Sequence, residues 1–314
     1  MKHVKFGTVS RAKQLIAAVS AVVLITFSAF AQDSPVLKIN AETERSDITV
    51  TPLRGGIFLL QGDGGNIGVL ANEQTKFLVD AGISVSKEKL TTVINGISPG
   101  KVSHLVNTHW HWDHADGNPW IPGEGVTIVA HPNTARYLAQ TERVDDWNFT
   151  FKPLDPKGIP KDLVSGSKTY KIAGESIEVT ALPPSHTDGD LYVYFRQADV
   201  LFLGDVFWNG LYPFIDNEHG GSIDGMIKAV DAGLKVAGAE TIIVPGHGPV
   251  ARKADLVEFR RVLQSIRDSV AKLKAEGKDE KATVSAKPSA EYDAKWGNFV
   301  INPDLFVHLV YSGL

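Results

Sequence analysis

The chain of 314 residues contains no cysteine. That absence excludes disulfide staples and any all-thiolate metal site, so stability cannot come from cross-links between cysteines. Positive charge is not in surplus either: 32 lysines and arginines stand against 36 aspartates and glutamates, a formal net charge of −4. Nucleic acid and anionic membranes select for basic patches, so neither is expected as a partner. The apolar run near the N-terminus, Leu15 to Phe27, covers roughly 13–16 residues and falls short of the ~20 that a spanning helix needs.

That run sits between Lys2, Lys5, Arg11 and Lys13 on one side and the small-residue sequence Ala29-Phe30-Ala31 on the other. The pattern predicts a secretory signal peptide over residues 1–31, cleaved between Ala31 and Gln32, and hence a periplasmic or secreted protein with no stable membrane insertion. Without a cysteine after the apolar core, lipoprotein attachment is excluded. Cleavage removes four basic residues and no acidic ones, which takes the formal charge from −4 to −8. The full chain is 43% hydrophobic, and what remains after cleavage is long and apolar enough to fill the core of one large α/β domain.

The most informative residues are His109-Trp110-His111-Trp112-Asp113-His114. In an extended strand end, alternation sends His109 and His111 the same way, while the adjacent Asp113 and His114 diverge toward a second point. One segment can therefore serve two metal ions. Imidazole nitrogens and a carboxylate suit a borderline divalent ion such as zinc. Three further candidates each follow an apolar run where the backbone turns: His186 after Ile177 to Leu182, Asp205 after Val200 to Gly204, and His247 after Thr241 to Gly246. Strand-end loops on one edge of a sheet are where α/β proteins gather polar groups for chemistry. Alone, His247 reads equally as a turn histidine and Asp205 as a helix cap; seven such residues in this order read as one metal site.

From about Val50 to about Arg261 these motifs resemble the metallo-β-lactamase superfamily. The resemblance implies that His109, His111 and His186 hold a first metal, that Asp113, His114 and His247 hold a second, and that Asp205 bridges them. Two divalent ions are implied, most readily zinc, with iron or manganese as alternatives. Aspartate at the bridging position resembles the glyoxalase II and lactonase-like branches, where true β-lactamases commonly carry cysteine or serine. The implied activity is hydrolysis of an ester, lactone, thioester or amide of a small molecule, with a metal-bridging hydroxide as nucleophile and Asp113 as ligand and proton acceptor. β-Lactam hydrolysis, or iron-dependent oxidoreductase or sulfur chemistry on the same fold, stays open at this point.

Strands are expected at Ile48 to Leu53, Gly56 to Leu60, Ile67 to Ala71, Thr75 to Asp80, Val102 to Asn107 and Thr127 to Ala130. A second block covers Lys171 to Ile172, Ser176 to Leu182, Leu191 to Arg196, Val200 to Leu203 and Thr241 to Val244. Helices are expected at Ser86 to Asn95, Thr134 to Thr141, Ser222 to Val236, Lys253 to Ala275 and Leu305 to Tyr311. Two strand blocks, each followed by helices, suggest two mixed sheets packed face to face with helices outside, the αββα sandwich that the resemblance also implies. Residues 46–276 would form the catalytic domain and 277–314 a helical extension packed on it.

Asp33 to Arg45 reads as a polar segment. Asp145 to Ser167 reads as a long surface connection and, with Trp208 to Gly221, as a candidate substrate lid. Of the other histidines, His104 is expected to pack, His131 to end a strand, His219 to lie in an exposed loop and His308 on the last helix. Some of Trp110, Trp112, Trp120, Phe207, Trp208, Tyr212 and Phe214 should wall an apolar cavity. Tyr212 is a candidate to hydrogen-bond a substrate carbonyl.

Overall fold

Short runs rich in valine, isoleucine, leucine and phenylalanine, buried on both faces, build the centre of two sheets; such strands need cover on each side and so show no polar alternation. The computed structural model describes residues 1–3, 34–121 and 125–314. From residue 4 onward, the expected signal peptide and its cleavage point lie outside the described residues. Residues 33–314 form one compact unit, and none of its described helices is long and apolar enough to cross a membrane.

In the first sheet β1 (Thr49–Pro52), β2 (Ile57–Gln61), β3 (Ile67–Ala71) and β4 (Thr75–Val79) run antiparallel in sequence order. Then β5 (Lys101–Val106) and β6 (Thr127–Ala130) add in parallel. A separate hairpin joins β7 (Glu142–Val144) to β8 (Phe149–Phe151), and β9 (Asp162–Leu163) closes the far edge of the first sheet beside β6. The second sheet follows the order β10 (Ser167–Ile172), β11 (Glu175–Ala181), β12 (Leu191–Phe195), β13 (Val200–Phe202) and β14 (Ile242–Val244), antiparallel except for the last pair.

Leu59, Leu70 and Phe77 from the first sheet meet Ile177, Val193 and Phe195 from the second in a dry core between them. The described helices are α1 (Pro35–Arg45), α2 (Lys87–Ile97), α3 (Trp112–Ala115), α4 (Pro132–Leu138), α5 (Ile223–Val236), α6 (Lys253–Ala275), α7 (Glu280–Ser285), α8 (Ala290–Trp296) and α9 (Pro303–Ser312). On the outside of the first sheet, α2 sets Leu90 and Ile94 against Leu78 and Leu105; on the outside of the second, α5 and α6 set Met226, Phe259 and Leu263 against Leu201 and Ile243. This is the αββα sandwich.

The differences from expectation have local causes. The polar segment before residue 46 is the helix α1, which buries Val36, Ile39 and Thr43 and belongs to the same unit. Residues 145–167 are not a plain connection: they hold most of the β7–β8 hairpin, two single 3-10 turns and β9, elements too short to show a period. The expected helix at Thr134 begins earlier, at Pro132, because the Nδ1 of His131 caps it by accepting from the Asn133 N–H at 3.2 Å. Beyond Gly277, α7 and α8 form in the charged, alanine-rich stretch. Tyr212 stacks on Phe306 of α9 at 4.5 Å and donates to Asp293 Oδ1 at 2.9 Å. Its hydroxyl is thus spent inside the body and not available to a substrate carbonyl.

Candidate metal centre

β5 runs into Asn107 and Thr108, and the chain then turns through His109 to His111, the extended residue that precedes α3. Thr108 is pinned on both sides, accepting from the Leu191 N–H of the second sheet at 2.8 Å while its own N–H donates to Asp80 Oδ1 at 2.7 Å. His186 stands in the loop between β11 and β12, a loop wound around Asp190, which accepts from the His186 and Thr187 N–H groups at 2.8 and 2.9 Å. Asp205 follows β13 and His247 follows β14. Neighbouring glycines allow the approach: a Cβ on Gly65 would strike the His114 ring, and one on Gly246 would strike Asp205 Oδ1.

All seven candidates meet there, every one of them buried. His109, His111, His186 and Asp205 present donor atoms within 4.8 Å of one another, and Asp113, His114 and His247 form an adjacent set. Asp205 joins the two. Its Oδ2 lies 3.5 Å from His186 Nε2 and 3.8 Å from His109 Nε2, while on the other side Oδ1 is 3.1 Å from His114 Nε2 and Oδ2 3.3 Å from His247 Nε2. Asp113 Oδ2 completes the second set at 3.3 Å from His247 Nε2 and 3.6 Å from His114 Nε2.

The outward nitrogens decide which atoms face inward. His186 Nδ1 lies 2.8 Å from the Phe214 carbonyl, which can only accept, so that nitrogen carries the proton. His111 Nε2 donates to Asp216 Oδ2 at 2.9 Å, and His114 Nδ1 donates to Asp80 Oδ2 at 2.9 Å. Consequently, His111 Nδ1 and His186 Nε2 point bare lone pairs at each other across 2.8 Å. Buried His109 Nε2 has no hydrogen-bond partner, and His114 Nε2 and Asp205 Oδ1 have only each other, 3.1 Å apart. Buried polar atoms are normally paired. Converging lone pairs with nothing between them are what a divalent cation satisfies, and nitrogen and carboxylate donors with carboxylate or carbonyl support behind them suit zinc-like ions.

The electrostatics agree. Burial, and next the charge on His114, hold His109 well below its ordinary value; burial takes His111 down to about 4 despite its bond to Asp216. Both stay neutral and ready to ligate. Burial also opposes charge on His114 and His247, yet the Asp205 and Asp113 carboxylates override it, carrying His114 well above its usual range and His247 up to about 9. In turn, against their burial, these histidines hold Asp113 below and Asp205 well below the ordinary carboxylate value. Protons on the metal-free chain therefore occupy the place of positive charge.

Three supporting acids escaped the sequence reading. Asp80 follows β4 with a left-handed φ of 64°, and its carboxylate meets Thr108 and His114. Asp190 shapes the His186 loop. Asp216 links His111 to His219, whose Nδ1 lies 2.8 Å from Asp216 Oδ1. His219 is buried rather than exposed, stacked near Trp110 and Tyr137 and facing Glu142 at 3.3 Å. His104 packs as expected, against Phe77 and Tyr170. Asp113, Asp205 and His247 open onto a narrow cleft of about 470 Å3 including its mouth. Trp112, Trp147 and Trp208 line it, but Trp110, Phe207 and Phe214 pack behind the centre.

The sequence model of the metallo-beta-lactamase superfamily matches residues 60–249. A probable metallo-hydrolase of Bacillus subtilis is 24% identical over 147 residues, 46% of this chain and 68% of the relative. A hydroxyacylglutathione hydrolase of Rhodospirillum rubrum is 25% identical over 148 residues, 46% of this chain and 48% of that protein, so the match spans about half of that relative's length. Among solved structures, a metallo-beta-lactamase from Pontibacter korlensis aligns with a TM-score of 0.56 at 21% identity, over 69% of this chain and 99% of its own. A sec-alkylsulfatase from Pseudomonas sp. aligns with a TM-score of 0.64 at 15% identity, over 84% and 50%. At such identity the structures speak for the fold alone. The match over most of the sandwich and the converging histidines and aspartates lead to one conclusion: the chain belongs to the metallo-beta-lactamase superfamily, with the ligand set of a metal-dependent hydrolase.

Proposed function

We propose that this protein is an exported binuclear hydrolase that cleaves an ester, lactone, thioester or amide of a small molecule. The observation that carries the reading is the inward face of the centre, where buried histidine nitrogens and carboxylate oxygens converge in two adjacent sets. When bound, two zinc ions would acidify a water and supply a nucleophile near neutral pH. His109, His111 and His186 would hold one ion, and Asp113, His114 and His247 the other, with Asp205 shared. Asp113 stays ionised, lines the cleft and is the carboxylate placed to take a proton from the attacking water. The walls of the cleft keep bulk water from the carbonyl. Export by the N-terminal segment accords with a chain that has no cysteine to protect.

The test is elemental analysis together with turnover of a panel of esters, lactones, thioesters and amides by protein purified from the periplasm. Close to two zinc ions per chain, Gln32 as the first residue and turnover of at least one carbonyl class are expected. His186→Ala should empty mainly the first position and His247→Ala the second, read by anomalous scattering. Trace metal only, or both ions retained in either variant, would overturn the ligand scheme.

A further inference from the structure

The cleft beside the centre is unusual in what it does not contain. Among the described residues that line it there is no lysine, no arginine and no hydroxyl, and its one charged side chain beyond the metal ligands is Asp63. Asp63 comes from the Gly62-Asp63-Gly64-Gly65 loop between β2 and β3 and has no ion-pair or hydrogen-bond partner among the described residues. The rest is apolar. Trp112 packs edge-on to Trp147 at 5.0 Å, and Trp208 edge-on to Phe299 at 6.1 Å, with Ile39, Ile301 and Leu305 completing the wall. Several of these residues, from α1 and from the stretch 299–305, lie outside the family match at 60–249.

We infer that the group flanking the scissile carbonyl is uncharged and apolar, an alkyl or aryl acyl group, and that substrates carrying a carboxylate there are rejected. The inference rests on the hydrolase reading. A carboxylate on that flanking group would lose water, meet no cationic side chain on the apolar wall and face Asp63, and like charges juxtaposed at low hydration repel by several kcal/mol. A neutral chain instead trades water for tryptophan and isoleucine surface.

Two matched esters test this: para-nitrophenyl pentanoate and mono-para-nitrophenyl glutarate, alike in leaving group and chain length but for a terminal carboxylate. The zinc-loaded protein should prefer the neutral ester in kcat/KM by at least about a hundredfold. Asp63→Lys should shrink that preference by at least about tenfold, and Asp63→Asn by less. Equal turnover of both esters would overturn the inference and leave the hydrolase reading intact. If neither ester is cleaved, binding of the same two esters decides, read by quenching of the three tryptophans that line the cleft: tighter binding of the pentanoate ester than of the glutarate monoester upholds the neutral cleft while the ester-hydrolase reading falls, and equal or no response to both overturns it.

Discussion

Each inward-facing nitrogen at the centre is fixed by what its ring does on the other side. Asp216 holds His111, Asp80 holds His114, and the Phe214 carbonyl holds His186. Such partners set the tautomer and raise the basicity of the ligand, and losing one typically costs about 10–100-fold in metal affinity. Asp216→Asn keeps the shape but removes the carboxylate charge from the hydrogen bond that His111 donates. Zinc affinity of the first position should fall by about that 10–100-fold, with the second position nearly unchanged, in a chelator competition titration; unaltered affinity would leave Asp216 a structural residue of its loop. Asp113 is different because it faces the cleft. Asp113→Asn should lose at least about a hundredfold in turnover even at verified two-ion occupancy, as expected for a lost proton acceptor; near-normal rates would reduce it to a ligand. The convergence of the seven candidates was legible in the sequence because they are spaced along one segment and at strand ends, which the fold brings to one place. The acids behind them were not, since Asp80 and Asp216 reach their histidines from 34 and 105 residues away and carry no local pattern.

At the scale of elements, the strands of both sheets could be read directly, because burial on two faces leaves uninterrupted apolar runs such as Leu191–Phe195. Helix α6 declared itself by Leu256, Phe259, Leu263 and Ile266 on one face. By contrast, α1 buries only three residues, and the pieces within 142–163 are two or three residues long, below any period. The β7–β8 hairpin matters to the site nonetheless, since the turn between its strands carries Trp147 into the cleft. Its anchor is His308 of α9, which reaches Asp146 Oδ1 at 3.1 Å and Glu280 Oε1 of α7 at 2.8 Å. The Asp146 bond, against partial burial and with help from Glu280, raises His308 to about 9. A raised folded-state value means that the imidazolium stabilises the fold fully below the unfolded value of about 6.5 and loses that effect as pH climbs through about 9. His308→Gln should therefore lower the melting temperature most at pH 6 and hardly at all at pH 10. A deficit independent of pH would show that packing, not charge, fastens the hairpin.

For the whole molecule, the centre lies where the two sheets meet. His109 to His114 extend from the end of β5 in the first sheet, whereas His186, Asp205 and His247 come from loops of the second. A cation shared among them would thus tie one half of the sandwich to the other. Without it, ionised Asp113 and Asp205 remain buried beside lone pairs that nothing else satisfies, a cost that protonated His114 and His247 offset only in part. Metal at about 100 times its dissociation constant contributes about 2.7 kcal/mol of stability, which for a domain of this size corresponds to roughly 5–10 °C. Chelation should lower the melting temperature by that order, and an unchanged melt would mean that the inward donors are satisfied by one another. A ligand substitution separates this tie from ordinary packing. Removing the His186 ring opens a cavity whether or not metal is present, but it weakens the tie only when metal is bound. His186→Ala should therefore lower the melting temperature of the zinc-loaded protein by several degrees more than that of the chelated protein. Equal losses in the two states would mean that His186 serves the fold as packing alone and that the two sheets are held together without the metals.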